Sequence, residues 1–222
     1  MKELPVIGII ERESLSDSGR LINITYQSLE ESIIKSGGLP IGISNKYIDK
    51  FLSLCDGFIL QGGSDLDPLN ISIIKKINEL NIPLLGICLG MQEMAISYQG
   101  NEINIPNHQN TYHEIYIDKN SLLYKITNKT NLTVNSRHKS AIENTSLKIS
   151  AKSKDNIIEA IEDPNKLFFL GLQYHPENLY YSTSSSKKIF DYFVNMCDYY
   201  RCNLKSRWDV WKLESLIQDL VA

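Results

Sequence analysis

Two short segments of this 222-residue chain hold residue types that could do chemistry together. Gly86-Ile87-Cys88-Leu89-Gly90 sets a cysteine between glycines where an apolar run passes into a helix-period segment. It has the form of a nucleophile elbow, in which glycines permit a sharp strand-to-helix turn and the central side chain projects at the strand's carboxyl end. A sulfur placed there would meet orphan backbone N–H groups and a partial positive charge, which favour an anionic nucleophile and can cradle an oxyanion. Gln173-Tyr174-His175-Pro176-Glu177 supplies the rest. Residues i and i+2 of an extended segment point to one side, so Glu177 could hold His175 in the tautomer of a general base. Most cysteines are small buried hydrophobes; the histidine and carboxylate are what favour a nucleophile at Cys88.

The elements that must position these residues are legible from periodicity. Short apolar runs at residues 5–10, 39–43, 57–60, 83–87 and 168–173 alternate with helix-period segments at 26–36, 47–54, 71–80, 89–98 and 185–197, the pattern of βαβ units and a parallel sheet. The run at 83–87 is continuous, as a strand buried on both faces requires. Between residues 113 and 153 the runs become shorter and β-leaning (115–117, 132–134, 147–151), which predicts an antiparallel or mixed β segment. The expectation is an α/β fold: a mostly parallel sheet flanked by helices, formed by residues 1–204. Residues 205–222, with Trp208, Trp211, Leu213, Leu216, Ile217 and Leu220 at broadly helical spacing, are expected to form an amphipathic helix packed on that body.

Bulk properties narrow the function. A formal net charge of −3 carries no electrostatic footprint for nucleic acid or an anionic membrane surface. No window approaches the ~20 apolar residues of a membrane span, and the amino terminus lacks signal-peptide flanks, so a cytoplasmic location is expected. The cysteines Cys55, Cys88, Cys197 and Cys202 suggest neither a disulfide framework nor a zinc site. Asp65 and Asp67 are read as turn residues with no third ligand near, and His108 and His113 as loop histidines; no metal and no cofactor is expected.

Cys88 in GICLGMQ, followed by His175 and Glu177 in QYHPE, resembles the signature of class I glutamine amidotransferases, whose fold is a flavodoxin-like α/β sheet. Residues 5–9, the helix ending in Ser36-Gly37-Gly38-Leu39-Pro40, Gly62-Gly63-Ser64-Asp65-Leu66-Asp67-Pro68 and Val134-Asn135-Ser136-Arg137-His138 are similar to the gamma-glutamyl-gamma-aminobutyrate hydrolase branch. The resemblance implies a Cys88–His175–Glu177 triad and an oxyanion hole from Gly63 and Leu89. It also implies substrate contacts from Gly62, Gln92, Ser136, Arg137 and His138. The reaction would be hydrolysis of a small-molecule γ-glutamyl amide through a thioester on Cys88.

Three departures bear on the substrate. Leu89 stands where the hydrolase branch usually has Arg and matches the amidotransferases that serve a synthase. The segment between Pro68 and the helix at Ile71 lacks that branch's longer insertion, which points to shorter cleft walls and a bulkier leaving amine. Arg137-His138-Lys139-Ser140 replaces the usual His-His-Gln, two cations that could receive an anionic leaving group such as a phosphoramidate; a solvated surface turn is the plain alternative. A glutaminase subunit feeding a separate synthase, and a non-catalytic binding module on the same fold, stay open, as does a homodimer.

Overall fold

The computed structural model describes residues 3–205. From the amino terminus run β1 (Val6–Ile10), a hairpin of β2 (Arg12–Leu15) and β3 (Leu21–Ile24), α1 (Gln27–Lys35), β4 (Leu39–Ile43), the short α2 (Ile48–Phe51) and β5 (Gly57–Leu60). There follow α3 (Pro68–Glu79), β6 (Leu84–Ile87), α4 (Leu89–Ser97), β7 (Asn101–Asn104), β8 (Thr111–Ile117) and α5 (Leu122–Thr127). The chain continues through β9 (Asn131–Ser136), β10 (Ser140–Asn144), β11 (Lys148–Ser153), β12 (Ile158–Glu162), β13 (Phe169–Leu172) and α6 (Ser184–Asn203).

Nine strands form one sheet in the order β4-β1-β5-β6-β13-β12-β11-β8-β9. The first five pair in parallel, and from β13 outward every pair is antiparallel. The expected α/β fold is therefore present, and the β-leaning segment extends the same sheet.

Side-chain alternation divides the core between the two faces of the sheet. Ile7, Ile9, Ile59, Leu85, Ile87, Leu170 and Leu172 point toward α1 and α6, against Leu29, Ile33, Phe190 and Phe193. Ile10, Phe58, Leu60, Leu84 and Phe169 point the other way, against Ile73, Ile74 and Ile77 of α3 and Met91 and Met94 of α4. The central strands β5, β6 and β13 are buried at every residue, which is why they read as unbroken apolar runs.

Local chemistry explains where the boundaries differ from the periodicity. Helix α3 begins at Pro68 because the Asp67 carboxylate accepts from Leu69 N (2.9 Å), with Pro68 in the first helical position. The predicted helix at 47–54 is instead a 3₁₀ turn at Asn45–Tyr47 followed by the short α2. Residues 101–104, which carry no marked periodicity, pair with β10 as a small antiparallel ribbon. The β2–β3 hairpin escaped the pattern because it carries no buried face: Leu15, Leu21 and Ile22 are exposed. Among the described residues no helix is long and apolar enough to cross a membrane. The expected helix at 205–222 lies, beyond Lys205, outside the described residues.

Candidate active site

Register alone brings the two motifs together. Strands β6 and β13 are parallel neighbours with Ile87 opposite Leu172. Cys88 therefore lies one residue, and His175 three residues, beyond adjacent carboxyl ends. On the other side of β6, Leu60 pairs with Gly86, so Gly62 and Gly63 emerge from the same end of β5. Crevices outside the carboxyl ends of parallel strands are where α/β sheets place ligands.

Cys88 caps α4 with φ 53° and ψ −107°, a backbone conformation that side-chain-bearing residues rarely adopt. The flanking glycines serve a different purpose from the one the motif suggested. Neither has positive φ; both are needed for close approach. A Cβ on Gly90 would lie 2.1 Å from Leu60 O, and one on Gly86 2.9 Å from the Gly90 carbonyl carbon. Helix α4 thus sits directly on β5 and β6, and the turn that joins it to β6 falls on Cys88. Leu89 belongs to the first helical turn, whose N–H groups have no intrahelical partner.

His175 Nδ1 lies 2.7 Å from Glu177 Oε1, and its other partner is the Cys88 thiol. Glu177 reaches back from a 3₁₀ turn at Pro176–Leu179, not from an extended strand as the spacing had suggested. Burial by itself pulls the imidazole down, but hydrogen bonds to Cys88 and Glu177 and the charges of both outweigh it and hold His175 at about 10. The ring therefore carries its proton at neutral pH and faces the sulfur as an imidazolium.

Two residues to which the motifs assign no role complete this arrangement. Asn135 clamps the His175 backbone from both sides: its Nδ2 donates to His175 O (3.0 Å) and its Oδ1 accepts from His175 N (2.9 Å). Gln173 Nε2 approaches Cys88 Sγ at 3.7 Å. Both stand inside the quoted motifs, which is the only signal that could have found them.

The expected contacts divide sharply. Gly63, Cys88, Arg137, His175 and Glu177 line one cleft of roughly 240 Å³, with Tyr26 on its wall. Gly62 packs under the ring: a Cβ there would meet His175 Cε1 at 3.0 Å. Gln92, Ser136 and His138 do not border the cleft. Gln92 is buried and donates to Ser140 O (2.9 Å) and to Gln173 Oε1 (3.1 Å), so it holds Gln173. Ser136 donates to His108 O, and His138 turns its Nδ1 to Ser140 O (2.9 Å), both buried. Arg137 is exposed on the cleft rim, whereas Lys139 is exposed outside it.

A second cleft of roughly 460 Å³ shares Tyr26 and Gly63 with the first and is walled by the unforeseen hairpin, through Glu13, Ser14 and Asn23. The loop between the clefts is anchored at both ends by a buried ion pair. Arg12 donates to Glu93 (2.7 and 2.9 Å) and to Gln61 O (2.8 Å), while Glu93 accepts from Asp67 N (3.1 Å) and from Asn70. The two loop histidines also differ from expectation: His113 lies within β8, and His108, although in a loop, is buried.

Comparison with known proteins gives a consistent picture. The chain matches the family described as peptidase C26 over residues 5–72 and 69–177. It is 26% identical to a gamma-glutamyl-gamma-aminobutyrate hydrolase of Escherichia coli (strain K12), an alignment that covers 88% of this chain and 94% of the relative. Among solved structures it resembles the glutaminase domain of a Trypanosoma brucei CTPS with bound acivicin (TM-score 0.72, 19% identity, 87% of this chain and 94% of that one). It also resembles a glutamine amido transferase from Methylobacillus flagellatus (TM-score 0.61, 16% identity, 79% and 71%).

Proposed function

This chain belongs to the peptidase C26 family, a family of hydrolases, and from that premise we propose that it cleaves a γ-glutamyl amide through a covalent thioester on Cys88. The observation that carries the proposal is the placement of His175 between Glu177 and the Cys88 sulfur, all three lining one cleft. A protonated imidazole beside a cysteine sulfur favours attack by that sulfur and supplies an acid for the departing amine.

In this reading the Cys88 sulfur attacks the γ-carbonyl. The Gly63 and Leu89 N–H groups receive the developing oxyanion, and His175 protonates the amine as the C–N bond breaks. Water, deprotonated by the now neutral His175, then attacks the thioester and releases glutamate. Glu177 keeps the imidazole proton on Nδ1 and so turns Nε2 toward the chemistry. The small-molecule substrate of the E. coli relative supports the γ-glutamyl half. A γ-glutamyl electrophile should label Cys88, detected by mass spectrometry. Well-folded protein left unlabelled would overturn the reading and leave a non-catalytic binding module.

The leaving amine is read from the rim. Arg137 borders the Cys88 cleft and makes no ion pair among the described residues, which supports an anionic leaving group; Lys139 takes no part. The adjoining hairpin-walled cleft supports a bulky one. Charge-assisted hydrogen bonds contribute roughly 1.5–3 kcal/mol, so Arg137→Ala should lower kcat/KM at least about tenfold more on a phosphate-bearing γ-glutamyl amide than on an uncharged one. Equal losses on both would remove the anionic preference.

Leu89 favours a second reading, a glutaminase subunit that passes ammonia to a synthase. Isolated protein separates the two. Rapid hydrolysis of a substituted γ-glutamyl amide without a partner supports the first; slow glutamine turnover rescued by a synthase supports the second.

A further inference from the structure

Three of the four histidines of the chain converge on one carboxylate away from the Cys88 cleft. Glu159 of β12 is fully buried, and its Oε1 lies 3.0 Å from His113 Nε2, 3.7 Å from His108 Nδ1 and 3.8 Å from His138 Nε2. The rings crowd together, with centroids 4.8 Å apart for His108 and His113 and 4.9 Å for His108 and His138. His108 and His138 are each 4% exposed.

The hydrogen bonds on the outer side of the cluster determine what faces its centre. His138 Nδ1 meets a carbonyl, Ser140 O, at 2.9 Å and must donate to it, so in the neutral ring Nε2 is a lone pair. His108 Nε2 meets the Asp155 carboxylate at 2.9 Å and donates likewise, which leaves Nδ1 as the free nitrogen. Both inward nitrogens are unpartnered, as are Glu159 Oε2 and the Tyr174 hydroxyl beside it. Lone pairs are thus aimed at a buried carboxylate with no proton between them, an arrangement that buried polar groups rarely tolerate. A cation at the centre would take both nitrogens and the Glu159 carboxylate as ligands. The outer bonds of His108 and His138 have the form of the carboxylate–histidine–metal and carbonyl–histidine–metal relays that orient metal-bound imidazoles, while His113 Nδ1 has no partner.

We propose that His108, His113 and Glu159, with His138 as fourth donor, bind a divalent transition-metal cation of the zinc class. Bond lengths of about 2.0–2.1 Å at tetrahedral angles separate neighbouring donors by about 3.3–3.4 Å. The 3.0–3.8 Å spacings around Glu159 Oε1 are within a few tenths of an ångström of that value, and the donor atoms of His108, His113 and Glu159 all lie within 4.8 Å of one another, so the rings would close in on a bound ion. Three imidazoles and one carboxylate select a borderline-soft ion over calcium or magnesium, which take all-oxygen cages. A surface cleft bordered by His108, His113 and Asp155 gives an entry path.

The site is structural. It would join the loop before β8, β8 itself, the β9–β10 connection and β12. Those segments also support His175, since Gln173 N donates to Glu159 O (2.9 Å) and Asn135 of β9 holds the His175 backbone.

The test uses the full chain carrying Cys88→Ala, which removes that sulfur as a competing ligand. After chelator treatment the protein is titrated with zinc by calorimetry and with cobalt(II) by visible absorption. One equivalent per chain is expected, with the intense visible bands of four-coordinate cobalt and a rise in Tm. Asp155→Asn, an exposed change that alters the outer bond to His108 and the neighbouring one from the Ser153 hydroxyl, should weaken affinity about 10–100-fold at unchanged stoichiometry. His113→Gln and Glu159→Gln should abolish binding. Folded Cys88→Ala protein that takes up neither metal in excess overturns the proposal, as does undiminished affinity in His113→Gln, a half-buried position where the fold should survive.

Discussion

The backbone of Cys88, at φ 53° and ψ −107°, holds strain of roughly 1–3 kcal/mol that only its surroundings sustain. Alanine would retain that strain, whereas glycine would relieve it. Chemical denaturation should therefore show Cys88→Gly to be more stable than Cys88→Ala by about 1 kcal/mol, the reverse of the usual order within a helix or strand. At His175 the sign of the pH dependence follows from its raised pKa. In the proposed reaction, the proton that His175 would give to the leaving amine is present below about 10 and lost above it. A profile of kcat/KM should fall on the alkaline side as pH rises through that value. Removing the Glu177 charge removes one of the influences that raise it, so Glu177→Gln should move the alkaline limb to lower pH. It should also reduce kcat by roughly 10²–10⁴-fold through loss of the correct tautomer. An unmoved limb would separate Glu177 from the titration.

At the scale of elements, the site depends on how closely α4 approaches the sheet. Gly90 rests against the Leu60 carbonyl with no room for a methyl group, and the obstacle is backbone. Gly90→Ala must push α4 away from β5 and carry Cys88 and Leu89 with it. The expected result is a destabilisation of several kcal/mol or a fold that retains less than about 1% of activity, since a displacement near 1 Å at the reacting atoms costs about 10²-fold. The loop bearing Gly62 and Gly63 has its own brace in Arg12 and Glu93. Breaking a buried pair by removing one partner costs about 3–5 kcal/mol, and Arg12→Met should reach that range in equilibrium unfolding. Replacing both partners with apolar residues should recover much of it. Neither residue touches the Cys88 cleft, so a fall in kcat for Arg12→Met in still-folded protein would report displacement of the loop.

For the whole molecule, burial is steeply graded from the centre of the sheet to its periphery. Amides of β6 and β13, buried at every position, should exchange only through global unfolding. The β2–β3 hairpin, with its exposed leucines, should open locally and exchange orders of magnitude faster. Equal protection in the two regions would mean that the hairpin is integral to the core. That contrast also explains what was legible in the sequence. Strands at residues 57–60 and 83–87 stood out because burial on both faces leaves an unbroken apolar signature. The hairpin, β7 and β10 carry mixed residues, because each has a wet side or an edge, and no periodicity announced them.

The linear sequence was sufficient for the α/β class, for the pairing of Cys88 with His175 and Glu177, and for the loop that carries Gly62 and Gly63. Those features are local: a strand end, a glycine-flanked turn and a two-residue spacing each leave their mark within a few positions. Tertiary structure alone decided that Gln92, Ser136 and His138 stand behind the cleft, that Arg137 borders it while Lys139 does not, and that Arg12 reaches 81 positions along the chain to Glu93. It also gathered His108, His113, His138 and Glu159, from separate parts of the antiparallel half, around one buried oxygen. Strand order and register are set by the packing of the whole sheet, and contacts between distant strands leave no periodicity in a single sequence.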